Sequence, residues 1–141
     1  MKVDVVRVRS YCTEIRRYSQ ELNQLVDTNE LRADSVALKA AKYLLIELAE
    51  AMAQTLQHVL AREKGLAASG YIDGLVKAHE SGIISEELFQ RLKPFFDFRN
   101  TLIHRYWAVA DHRIIEDIRH GRGDFDRFVE ELEAYLSRQH G

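Results

Sequence analysis

Apolar residues along this chain recur at three- and four-residue steps and almost nowhere alternate, so the pattern predicts helix throughout and no strand of useful length. Over roughly residues 3–26, Val5, Val8, Cys12, Ile15, Leu22, Leu25 and Val26 form one apolar stripe with arginines and glutamates between them. The second periodic segment is longer. Val36, Ala40, Tyr43, Leu44, Leu48, Ala51, Met52, Thr55, Leu56, Val59 and Leu60 give a broad stripe that ends at Gly65, a residue suited to a left-handed helix end. Alanine at positions 37, 40, 41, 49, 51 and 53 thins this helix so that another can approach closely. It reads as the central helix of a bundle, with its Tyr and Met as core filler. Its start is open between Asp27-Thr28-Asn29 and Asp34 or Ser35, all of which carry cap-type side chains.

Ala67-Ala68-Ser69-Gly70 is a small-residue connector, followed by a short helix from Tyr71 to Glu80 that Ser81-Gly82 stops. Ser85 then supplies a hydroxyl cap, with Glu86 and Glu87 as first-turn acids. Pro94 falls inside this fourth segment; it removes a backbone donor and crowds the preceding turn, so either the helix kinks or a new one begins near Pro94. In both cases Phe95 to Trp107 is helical. Ala108 to Ala110 is a link, Asp111 caps a helix running to about His120, and Gly121 and Gly123 frame a turn. Asp124 caps a final helix carrying Phe125, Phe128, Val129, Leu132, Tyr135 and Leu136. The expectation is an all-α bundle of about five to six helices forming one domain over residues 1–141.

Composition narrows the function classes. The net charge of −2 argues against a nucleic-acid binder working by bulk electrostatics, while leaving room for a local basic patch made by folding or dimerisation. Arg9, Arg16 and Arg17 on the polar side of the first helix are either a solvated face or phosphate contacts. Cys12 is the only cysteine, which excludes an intramolecular disulfide and a cysteine metal cluster and points to a reducing cytoplasm; it reads as a small buried hydrophobe. Lys2, Asp4, Arg7 and Arg9 interrupt any apolar leader, and no apolar run approaches the roughly 20 residues that span a bilayer. A cytosolic protein without membrane contact is expected.

Most of the chemistry lies between Asp97 and Trp107. At about 100° per residue, Asp97, Asn100 and His104 share one stripe, while Arg99 and Tyr106 share another with Leu88, Leu92, Phe95 and Leu102. A guanidinium on an apolar stripe must reach out of the core or meet polar partners, because an unpaired buried cation costs several kcal/mol. A homodimer in which two copies converge on a shared basic cleft resolves this. Histidine moves protons near neutral pH and arginine grips phosphate with two hydrogen bonds, so Arg99 and His104 together suit phosphodiester cleavage in RNA. One imidazole deprotonates the ribose 2′-hydroxyl or protonates the leaving oxygen while the guanidinium stabilises the phosphorane. That scheme requires no metal and no cofactor, and the chain offers no acidic cluster dense enough to hold a metal.

Arg99-Asn100-Thr101-Leu102-Ile103-His104-Arg105-Tyr106 matches R-x4-H-x-Y with asparagine after the arginine. It resembles the signature of the HepT-like toxins, a branch of the HEPN (higher eukaryote and prokaryote nucleotide-binding) ribonucleases. The long alanine-rich helix, the Gly70-Tyr71 turn, Gly82-Ile83-Ile84 and the Asp124-Phe125-Asp126-Arg127-Phe128 ending extend the resemblance over most of the chain. It implies an all-helical homodimer with the motif cleft at the dimer interface, acting as a metal-independent endoribonuclease on tRNA or mRNA. Arg99 and His104 would be the catalytic pair, with Asn100 and Asp97 in support. It further implies a type VII-like toxin–antitoxin system, whose minimal nucleotidyltransferase antitoxin transfers AMP to Tyr106. Phosphates there would repel and block RNA. Many relatives carry glycine where this chain has Arg105, a cation that either strengthens RNA or AMP contact or crowds the modifying enzyme. Trp107 either stacks a base or anchors the helix end. A non-catalytic subunit that docks a nucleotidyltransferase is the alternative.

Three other features read as structural. His112, Glu116 and His120 stand at four-residue steps, a spacing shared by metal chelation and by an ordinary surface face. His58 and His79 sit near helix ends, where imidazoles meet terminal carbonyls.

Overall fold

The computed structural model describes residues 2–104 and 110–140. Six α-helices run through them: α1 (Val5–Asp27), α2 (Val36–Val59), α3 (Tyr71–Glu80), α4 (Glu86–His104), α5 (Asp111–Gly121) and α6 (Asp124–His140). A π-helical turn, Leu60–Lys64, prolongs α2 and closes at Gly65, whose φ of 63° is the left-handed conformation expected there. No strand occurs among the described residues, so the all-α expectation holds.

Each helix start has a local chemical cause. Asp4 accepts the Arg7 N–H at 3.1 Å and opens α1. Ser35, one of the open alternatives, opens α2 by accepting the Leu38 N–H at 3.0 Å; Thr28 instead ends α1, its hydroxyl donating to Gln24 O at 2.8 Å. Ser85 opens α4 by accepting the Leu88 N–H at 3.1 Å. Pro94 neither breaks α4 nor starts a new helix. It is exposed, so the backbone bond it removes falls on the solvent side of a helix that continues to His104.

α1 packs along α2 and against α6, and α2 also touches α3 and α4, so α2 is central. Its buried stripe runs through Leu38, Ala41, Leu45, Leu48, Met52, Leu56 and Leu60, with Ala41 and Ala49 fully buried as the close-approach positions. Ile15 and Leu22 of α1, Leu88, Leu92 and Phe96 of α4, and Phe128 and Leu132 of α6 join it in one hydrophobic core. Three residues of the expected stripe are corrected. Val36, Ala40 and Tyr43 face outward, Val36 being 81% and Tyr43 60% exposed, because at about 100° per residue they lie opposite Ala41, Leu48 and Met52.

Asp111 is a second correction. The N-cap of α5 is Ala110, and the Asp111 carboxylate instead accepts the Asp34 N–H at 2.7 Å and the Lys42 ammonium at 3.2 Å, tying α5 to the start of α2. These bonds hold its carboxyl below the usual range, the Asp34 amide contributing most. Asp124, at the start of α6, accepts Arg91 Nε at 2.6 Å and so ties α6 to α4. No helix among the described residues is long and apolar enough to cross a membrane.

Candidate functional site

α4 buries Leu88, Leu92, Phe96 and Leu102 on one face, and Arg99 falls between the last two on that face. Its side chain is only 14% exposed. A cation so placed needs partners, and α2 and α3 supply them. Arg99 Nη2 donates to Glu50 Oε1 at 2.6 Å, and Nη1 donates to Asn100 Oδ1 at 3.1 Å. The guanidinium carbon lies 4.2 Å from the centre of the Tyr71 ring, within cation–π range. Glu50 and Tyr71 also shift each other's ionisation, so the three side chains, from three helices, form an electrostatic triangle. Arg99 Nε is buried with no hydrogen-bond partner among the described residues.

The charges in this triangle are mutually set. The Tyr71 hydroxyl, more than the Arg99 cation, holds the Glu50 carboxyl below the usual carboxylate range against the opposing effect of burial. Burial first, and then the neighbouring Glu50, push the Tyr71 phenol up to about 12, with Arg99 working against the rise. At neutral pH the glutamate is therefore ionised and the tyrosine keeps its proton. Beside them, Glu50, Gln54, Gln57, Tyr71 and Gly74 line a cavity of about 280 Å³.

Of the residues singled out in the sequence, the structure joins Arg99 and Asn100 by a hydrogen bond, although helical geometry put them on separate stripes. Asp97 is exposed and takes no part in the triangle. His104 is the last residue of α4; its side chain, together with Arg105, Tyr106 and Trp107, lies outside the described residues. Sequence reasoning missed Glu50 and Tyr71 as site residues. The available signal was the demand of Arg99 itself for a carboxylate, and Glu50 sits on the outward face of α2 that also carries Val36 and Tyr43.

The other histidines have specific roles. His58 is buried, and its Nε2 accepts the Asp4 backbone N–H at 3.1 Å, so it helps finish the start of α1 rather than meeting a terminal carbonyl. Burial lowers its pKa, with Arg62 and Arg7 adding to the effect and Asp4 opposing it. His79 pairs with Glu86 at 2.6 Å and stacks on Phe89, the rings 4.7 Å apart. His120 lies 3.4 Å from Glu116, both well exposed, and no group of three or more metal-ligating side chains forms among the described residues.

The family described as "Ribonuclease HepT-like" matches residues 8–132. No curated protein matches the chain. Among solved structures, a tri-AMPylated HEPN toxin from Shewanella oneidensis in complex with an MNT antitoxin superposes with a TM-score of 0.80 at 18% identity, covering 91% of this chain and 97% of that one. A toxin–antitoxin complex with AMP-PNP gives 0.78 at 18% identity, covering 91% and 97%. A cytosolic protein of unknown function from Bacillus subtilis gives 0.80 at 16% identity, covering 100% and 96%. At such identities the likeness establishes a shared fold.

Proposed function

Because the chain belongs to the HepT-like ribonuclease family, we propose that it is the toxin of a toxin–antitoxin pair and acts as an endoribonuclease. The observation that carries this reading is the state of Arg99, a largely buried cation held by Glu50, Tyr71 and Asn100, five positions before a histidine on the same helix. Such a guanidinium is preorganised, which is what electrostatic stabilisation of a phosphorane needs.

In the proposed reaction the ribose 2′-oxygen attacks phosphorus, the bond to the 5′-oxygen breaks, and the products are a 2′,3′-cyclic phosphate and a 5′-hydroxyl. His104 takes the 2′-hydroxyl proton, and His104 of a second copy across a homodimer cleft gives one to the leaving oxygen. Arg99 binds the non-bridging oxygens, Asn100 holds its Nη1, and Asp97 supports the outer side of the helix. The scheme draws on no metal or cofactor. Arg105 and Trp107 are proposed as RNA contacts. Tyr106 is proposed as the acceptor of AMP from a nucleotidyltransferase antitoxin, which places negative phosphates at the cleft and excludes RNA. The similar Shewanella toxin, solved AMPylated and with its antitoxin partner, supports this arm.

One observation favours a second reading. The Glu50 carboxylate already neutralises Arg99, as it would in a non-catalytic subunit that docks a nucleotidyltransferase. Expression separates the two. The toxin reading expects wild-type protein to arrest growth and Arg99→Ala or His104→Ala to relieve the arrest; equal growth of all three supports the docking subunit. For the modification, intact mass after co-expression with the transferase should show added AMP units that vanish in Tyr106→Phe, and an unchanged mass pattern would remove Tyr106 as acceptor.

A further inference from the structure

The five N–H groups of Arg99 are not equivalent. One on Nη2 is given to Glu50, one on Nη1 to Asn100, and the one on Nε is buried. One N–H therefore remains on each terminal nitrogen. Donors on both terminal nitrogens are what a guanidinium uses to take two oxygens of one phosphate. The orientation of the guanidinium is set from outside α4. Tyr71, at the first turn of α3, sets its ring against the guanidinium, whose carbon lies 4.2 Å from the ring centre, and Glu50, on α2, holds Nη2 by a 2.6 Å bond. Tyr71 is itself seated edge-on against Phe96 of the core, centroids 6.0 Å apart.

We propose that Glu50 and Tyr71 are positioning residues for RNA cleavage, acting through Arg99 by holding its guanidinium in one orientation. The inference rests on the reading of Arg99 as the phosphate-binding group. An ion pair kept for stability alone needs no aromatic ring against its cation, and a largely exposed pair would contribute little. The triangle matters because a long side chain on a helix keeps several rotatable bonds. Loss of either anchor frees the guanidinium to turn while leaving its charge in place.

The test uses an RNA oligonucleotide with a single ribonucleotide linkage and an all-deoxy analogue that cannot be cleaved. We compare wild type, Glu50→Gln, Tyr71→Phe, Tyr71→Leu and Arg99→Ala for kcat, KM, analogue binding and thermal midpoint. Misplacement of a catalytic group by about 1 Å costs on the order of 100-fold in rate. Glu50→Gln and Tyr71→Leu should accordingly lose about 10- to 100-fold in kcat, with KM and analogue affinity nearly unchanged, and Tyr71→Phe, which keeps the ring, should lose less. That split between kcat and KM is one that general loosening of the fold would not produce. If Glu50→Gln fails to fold, the two Tyr71 variants decide. The proposal is overturned if folded Glu50→Gln and Tyr71→Leu turn over at the wild-type rate while Arg99→Ala is inactive. Should Arg99→Ala itself cleave at the wild-type rate, the phosphate-binding reading falls and takes this inference with it.

Discussion

Glu131→Ala removes a carboxylate that ties the last helix to the start of the helix bearing Arg99. Glu131 Oε1 accepts the Ser85 backbone N–H at 2.7 Å, and Oε2 accepts the Ser85 hydroxyl and Arg127 Nε, both at 2.9 Å. In a local capping box an acid three residues after the cap reaches back to the cap's own N–H. Here that position is Leu88, and Glu131 of α6 does the same work from 46 residues away. Hydrogen bonds to a charged acceptor contribute about 1.5–3 kcal/mol each when buried. The Glu131 side chain is 21% exposed, and Arg127 retains its bond to Glu87 at 2.7 Å, so three full contributions would overstate the loss. A total of about 2–3 kcal/mol for Glu131→Ala follows, and about 1 for Glu131→Gln, which keeps an acceptor. At this chain length 1 kcal/mol corresponds to about 3–4 °C, so calorimetry should show Glu131→Ala melting roughly 6–12 °C lower. Because Ser85 and Glu131 share bonds, Ser85→Ala combined with Glu131→Ala should cost less than the sum of the two. A shift under about 2 °C, or strict additivity, would refute the cap in trans.

Three further expectations concern stability and reactivity. His58 has a folded pKa below its usual 6.5, so the folded chain gives up a proton that the unfolded chain keeps. Its contribution is complete above 6.5 and declines as pH falls through that window; the urea midpoint of wild type should drop more from about pH 7 to about pH 5 than that of His58→Gln, and equal drops would contradict this. Burial, with the charge of Glu133 adding and Arg16 opposing, pushes the Cys12 thiol up to about 11. Native protein should therefore react with a disulfide reagent at about pH 8 only as fast as it unfolds, and rapid native labelling would be inconsistent with that burial. Gly82 ends α3 with φ at 76°, while Gly82 N–H bonds His79 O and Ile83 N–H bonds Ala78 O. A Cβ there meets open space, so Gly82→Ala should cost about 1 kcal/mol from backbone conformation alone, seen as a melting point about 3–4 °C lower; an unchanged melting point would argue against it.

Local signals carried much of the fold. The bounds of α3 and the hydroxyl start of α4 agree with the apolar steps, Ser81-Gly82 and Ser85, because each depends on residues within one turn. The outward face of α2 did not emerge because Val36, Ala40 and Tyr43 are apolar and repeat at helical spacing; only the packing of α1, α3 and α4 decides which of two apolar faces is the core. Asp111 read as a cap from its position, but Asp34 and Lys42, 77 and 69 residues away, compete for its carboxylate. At the site, the need of Arg99 for partners was legible from its place on an apolar stripe. Their identity was not, since Glu50 is 49 residues distant and Tyr71 looks like an ordinary helix start. The 3.1 Å bond between Arg99 and Asn100 likewise depends on side-chain reach, which angular position on a helix does not convey.

Arg99 and His104 are proposed to cleave RNA by attack of the 2′-hydroxyl. The most direct test is the end-group chemistry of RNA incubated in EDTA with purified protein whose intact mass shows no added AMP. Cleavage should persist in the chelator, leave 2′,3′-cyclic phosphate and 5′-hydroxyl ends, and disappear in both Arg99→Ala and His104→Ala. Intact RNA with the unmodified wild-type protein, or the same ends produced at the same rate by either variant, would contradict it.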